Sequence, residues 1–148
     1  MISCTEFIPF YSELFRYLHE KGGKETVMRY WEYISDEYVA PRLGEAVKEN
    51  GMRGCWEYWS KSLNEEAADF TMTYDEENET FGIDMHHCPS KGRLNALTHM
   101  EPYDDYCGHC AVLYARVLKN YGITMTTDMT HVDEAKCICR AWKQKEEA

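Results

Sequence analysis

At residue 69 the hydrophobic period of this chain changes from 3.6 to 2, and that change constrains the fold more than any other feature. Before it, apolar residues recur at helical spacing: Phe7, Phe10/Tyr11, Leu14 and Leu18, with Gly22-Gly23 as a stop. A second helix carries Val27, Trp31, Ile34 and Tyr38 and is expected to end before Pro41. A short helix holds Leu43 and Val47 before Asn50-Gly51, and a further one shows Met52, Trp56, Trp59/Ser60, Leu63 and Ala67. After it, "DFTMTYD" alternates, "DEEN" is a polar turn, and "TFGIDMHH" puts Phe81, Ile83, Met85 and His87 on one face. A helical turn around Leu94 and Leu97 follows. The next helix, capped by Asp104 or Asp105, runs to Asn120 and ends at Gly122. A second hairpin closes the series, with "ITMTTDMTH" and "KCICRAW" joined by a turn about Val132–Glu134.

Two hairpins flanking a helix, after a helical first half, predict an α+β fold. The expected architecture is a four-stranded antiparallel sheet with helices packed on one face. The 148 residues suit one domain, with a helical part at 1–68 and the hairpin, helix and hairpin part at 69–142. Apolar residues make up 44% of the chain and acidic residues outnumber basic ones 26 to 16, so the surface repels nucleic acid and anionic membranes. No stretch approaches the roughly 20 apolar residues of a membrane span. "MISCTEFIPFYSELF" lacks a basic leader region, so the expected location is cytoplasmic. The expected partner is a small-molecule substrate, and self-association into a homo-oligomer is left open.

The seven cysteines are then reduced thiols, and an odd count argues against a complete disulfide framework. Five cluster late: Cys88, Cys107, Cys110, Cys137 and Cys139. Cys4 and Cys55 read as small buried hydrophobes. "CGHC" at 107–110 has the form of a disulfide-exchange site. Such a site needs a buried strand before the first cysteine and a lowered thiol, whereas here "HMEPYDDY" precedes it, and Asp104 and Asp105 oppose a thiolate.

Three other roles are open to the cluster. Cys88, Cys107, Cys110 and His131 are candidate ligands of a divalent metal such as zinc. Cys107, at a helix N-terminus, is a candidate nucleophile with Cys88 and Cys137 beside it. His109 points away from Cys107 on the helix and is a poor base for it. The thiols are otherwise core residues. His87, Arg93 and Arg140 are the candidate substrate-binding side chains, the arginines for a carboxylate.

The later half, roughly 69–142, resembles the L-2-amino-thiazoline-4-carboxylic acid hydrolase-like family. The resemblance lies in Cys88-Pro89 after a strand, Tyr106-Cys107 opening a helix about 19 residues on, Gly122 closing it, and Cys137-Ile138-Cys139 in a last strand. Cys110 stands where the family carries an acid, and the late turn at Asp133-Glu134 lacks the family's Gly. The resemblance implies hydrolysis of a non-peptide carbon–nitrogen bond in a small cyclic amidine or isothiourea. Cys88, Cys107 and Cys137 are the positions that carry over. Attack would come from a thiolate or from metal-bound hydroxide. The alternative is a metal-binding or small-ligand-sensing module without catalysis.

Overall fold

The computed structural model describes residues 5–145. Helix α1 (Phe7–Gly22) ends where Gly23 turns at φ 76°, and its apolar stripe buries Phe15. Helix α2 (Lys24–Ile34) buries Val27 and Trp31. The chain does not stop before Pro41. It widens into a π-helical segment, Ser35–Gly44, and continues without a break into α3 (Glu45–Asn50). Pro41 has no N–H to donate, and the wider turn carries it inside the helix rather than ending it. The segment is tied down by the Ser35 hydroxyl, which donates to the Leu113 carbonyl at 2.8 Å in the core. Gly51, at φ 59°, turns the chain into α4 (Met52–Glu65).

The strands fall where the period of 2 places them: β1 (Asp69–Asp75), β2 (Thr80–His87), β3 (Ile123–Asp128) and β4 (Cys137–Lys143). The sheet is antiparallel with order β1-β2-β4-β3, so the second hairpin docks on the first through its last strand. Register sets Ile83 opposite Cys139, Met85 opposite Cys137, and Thr127 opposite Cys139 on the third strand. Side chains alternate, so Phe81, Ile83, Met85, Cys137, Cys139 and Ala141 all share the helix-facing side.

Helix α5 (Pro89–Ala96) opens with Pro at its first position, and the Cys88 sulfur accepts the Lys91 N–H at 3.5 Å as its cap. Helix α6 (Gly108–Lys119) starts later than expected. Neither Asp104 nor Asp105 caps it through its side chain; Cys107 is the N-cap residue, and turns at Tyr103–Tyr106 and Asp105–Gly108 lead in. Val117 and Leu118 on α6, Phe15 and Trp31 on the first helices, and Phe81, Ile83 and Ala141 on the sheet belong to one buried cluster spanning both halves of the chain. No helix among the described residues is long and apolar enough to cross a membrane.

Candidate active site: a cysteine-lined cavity

Between the sheet, α4, α5 and α6 lies a cavity of about 1030 Å³. Cys137 and Cys139 form part of its floor on β4. Cys88, the cap of α5, and Cys107 and Cys110, at the start of α6, line its wall. All five late cysteines therefore converge, unpaired by disulfides. Three bonds hold this wall together. The Cys88 N–H donates to the Ala135 carbonyl at 2.7 Å, the Ser90 and Tyr106 hydroxyls meet at 2.6 Å, and the Asn95 amide donates to the Asp133 carbonyl at 2.9 Å. The rest of the lining is largely aromatic and aliphatic, including Tyr11, Trp59, Tyr114, Met85 and Met125.

The thiols differ in their surroundings. Burial pushes Cys107 up to about 11; the Lys91 ammonium opposes this, and Cys88, Asp105 and Asp133 add to it. Cys88 is also raised, again by burial first. Cys110 has its exposed surface on the cavity rather than on the outside, and burial within the fold raises it well above a normal thiol. Cys139 moves the other way, down to about 7. The Cys137 thiol two residues along the same strand face is the largest influence, Thr127 Oγ1 lies 3.6 Å away, and the Arg140 guanidinium adds positive charge; burial and the Asp84 carboxylate oppose them. Cys137, its neighbour, is raised by Cys139 and by burial. The thiolate that Cys107 was expected to supply is thus best supported at Cys139.

His109 is packed among Tyr11, Phe15 and Tyr106, and burial lowers it to about 4. Its Nδ1 meets the Tyr106 carbonyl, which can only accept, so Nδ1 carries the proton and Nε2 accepts. Nε2 lies 3.4 Å from Cys110 Sγ, so the thiol donates to a neutral ring. This pairing comes from the same helical rotation that turns His109 away from Cys107. With Cys107 and Cys110 both raised and no strand before them, the disulfide-exchange reading of "CGHC" finds no support in the geometry.

Several expected site residues fall elsewhere. His131 is exposed beyond β3, with Nδ1 2.8 Å from the Glu134 carboxylate, and does not join the thiols. Among the described residues, no group of three or more His, Cys, Asp and Glu side chains is arranged to hold a metal ion, so the expected ligand set does not fit one. Arg140 alternates onto the outer face of the sheet and pairs with Asp84 at 2.6 Å. His87 is exposed at the end of β2 with its ring against Gly92, outside the cavity lining. Arg93 does border the cavity.

The chain matches no protein-family model, no curated protein and no solved structure. Its geometry alone therefore carries the functional argument. Three cavity residues had no role in the sequence reading: Cys139 as the ionising thiol, Lys91, and Glu66 at the end of α4. The Glu66 carboxyl is raised by burial and by Glu65. The spacing Cys88-x-x-Lys91 after a helix-opening proline was the available signal for Lys91, since it returns position 91 to the face of the cap.

Proposed function

We propose that the cavity is the active site of a thiol-dependent hydrolase acting on a non-peptide carbon–nitrogen bond. The observation that carries this reading is the convergence of five free thiols on one largely apolar cavity, one of them favoured as the thiolate. In the proposed reaction Cys139 Sγ adds to an amidine-type carbon, forming a C–S bond, and the electron pair moves onto nitrogen. Cys137, the neighbouring thiol on the same face of β4, gives the nitrogen its proton, and the C–N bond breaks. Water then attacks the same carbon and gives a proton back to Cys137, the bond from that carbon to Cys139 Sγ breaks, and the Cys139 thiolate returns. Cys88, Cys107 and Cys110 shape the wall as neutral thiols. No step is routed through a metal, because the side chains present do not form a ligand set.

The test uses 2-amino-thiazoline-4-carboxylate, the substrate the family resemblance names. Mass spectrometry should find a ring-opened product heavier by one water and a thiol reagent should find no new free thiol, since carbon–nitrogen cleavage leaves the ring sulfur on the carbon, with the rate falling at least roughly 100-fold in Cys139→Ser. Cys55→Ser, at a thiol buried outside the cavity, should leave the rate unchanged. Full turnover in Cys139→Ser, or none in the unmodified protein, rejects this reading.

A further inference from the structure

The cavity collects positive charge in an acidic protein. Arg42, Lys61, Lys91, Arg93 and Lys136 line it, against Glu65 and Glu66, while the whole chain has 26 acidic and 16 basic residues. Two of the five cations have neighbours of their own: Arg42 meets the Tyr38 hydroxyl, and Lys136 lies 3.8 Å from Glu134. Lys91 is different. It is only 8% exposed, yet its ammonium has no hydrogen bond or ion pair among the described residues, Glu66 included. Its nitrogen is not among the fully enclosed polar atoms, so a side chain whose stem is covered holds its charge open to the cavity. Lys91 is also close enough to Cys88 and Cys107 to oppose the rise of both thiols, which places its charge at the corner where α5 and α6 begin. Both helices turn their positive ends toward that corner, since their N-cap residues line the cavity. Most of the other lining side chains are aromatic or aliphatic.

We infer that the cavity takes an apolar molecule bearing a single carboxylate, which pairs with the Lys91 ammonium between the starts of α5 and α6 while the body lies along the aromatic wall. For the proposed hydrolase this assigns the group that holds the substrate's carboxylate, which 2-amino-thiazoline-4-carboxylate also carries. It rests on that reading only for the word substrate, because the binding needs no thiol chemistry. A cavity of about 1030 Å³ leaves room beside the carboxylate for an extended apolar body.

Three probes separate the contributions in titration calorimetry. Dodecanoate has both the body and the charge, dodecan-1-ol lacks the charge, and butyrate lacks the body. Dodecanoate should bind at least about 10-fold more tightly than either, the increment of a charge-assisted hydrogen bond in a shielded site. Lys91→Met should bring dodecanoate to the level of the alcohol without weakening the alcohol, and Lys91→Arg should retain the preference. Equal binding of dodecanoate and dodecan-1-ol to the unmodified protein overturns the inference, as does a preference that survives in Lys91→Met. If Lys91→Met does not fold, Lys91→Gln takes its place on the same criteria. The Cys139→Ser protein separates this inference from the reaction. Charge preference retained there, with no turnover in the unmodified protein, rejects the hydrolase and keeps the carboxylate site. Turnover without charge preference does the reverse.

Discussion

Cys107 and Cys139 differ in what surrounds each sulfur atom rather than in how far each is covered. Both are partly buried on the same cavity. At Cys107 burial and two carboxylates outweigh the Lys91 ammonium, whereas at Cys139 a thiol, a hydroxyl and a guanidinium outweigh burial and Asp84. The surroundings therefore favour the thiolate at Cys139 over Cys107, and the lower nucleophilicity of a more acidic thiol cancels only part of that. Iodoacetamide labelling read by peptide mass spectrometry should show Cys139 modified about 10-fold or more faster than Cys107 at pH 7.5. Its rate should rise through about pH 7, and Thr127→Val should move that midpoint upward. Equal labelling would remove Cys139 as the nucleophile. His109 makes a stability statement of the same kind. Its folded pKa, about 4, lies below the ordinary value of 6.5, so the unfolded chain binds the proton first. The contribution is intact above pH 6.5 and is lost as pH falls toward 4, giving about 2 kcal/mol of lost stability between pH 7 and pH 5. Urea unfolding at the two pH values should show this loss, and His109→Phe should abolish it even if that variant is less stable at both.

The elements were legible wherever a local rule had no competitor. The switch from period 3.6 to period 2 located β1 and β2, because alternating side chains in a half-buried strand need no tertiary information. Pro41 misled because its usual effect is to end a helix, whereas here packing of Val39 and Leu43 holds a π-helical turn around it. Asp104 and Asp105 misled because a good capping residue type does not decide which turn begins the helix. The order β1-β2-β4-β3 has no local signal, since either strand of the second hairpin could have paired with β2. The crossing of α3 and α4 is equally non-local and is set by Gly54. A Cβ there would lie 2.3 Å from the Ala46 carbonyl oxygen and 2.7 Å from the Val47 nitrogen, both backbone atoms that cannot rotate away. Gly54→Ala should therefore destabilise the protein by about 1–3 kcal/mol, despite the higher helix propensity of Ala, as the two helices are forced apart. A denaturation midpoint equal to that of the unmodified chain would show that the crossing relaxes freely.

At the scale of the molecule, the convergence of the late cysteines on one cavity was legible, because alternation in β4 and the three-residue spacing of Cys107 and Cys110 each set two thiols on one face. Which thiol ionises, and which cation meets a ligand, depends on distances between elements that no spacing encodes. The same scale sets two opposing fields on an anionic ligand. The excess of acidic residues repels it from afar, while the cationic lining attracts it close by. Salt separates them because screening acts on distance. At 0.01 M the Debye length is about 30 Å and the whole acidic surface is felt; near 0.15 M it is about 8 Å, which removes the distant repulsion and leaves the cavity charges; at 1 M it is about 3 Å and those fade too. The association rate of dodecanoate should therefore rise from 0.01 M to about 0.15 M salt and fall again toward 1 M. Lys91→Met should keep the rise and weaken the fall, because it leaves the remote charges alone and removes one of the five cavity cations. Stopped-flow fluorescence of the aromatic wall, using Trp59 as the native reporter, measures this directly. A rate that only rises with salt would mean that the acidic surface alone governs approach and that the cationic lining does not steer the ligand.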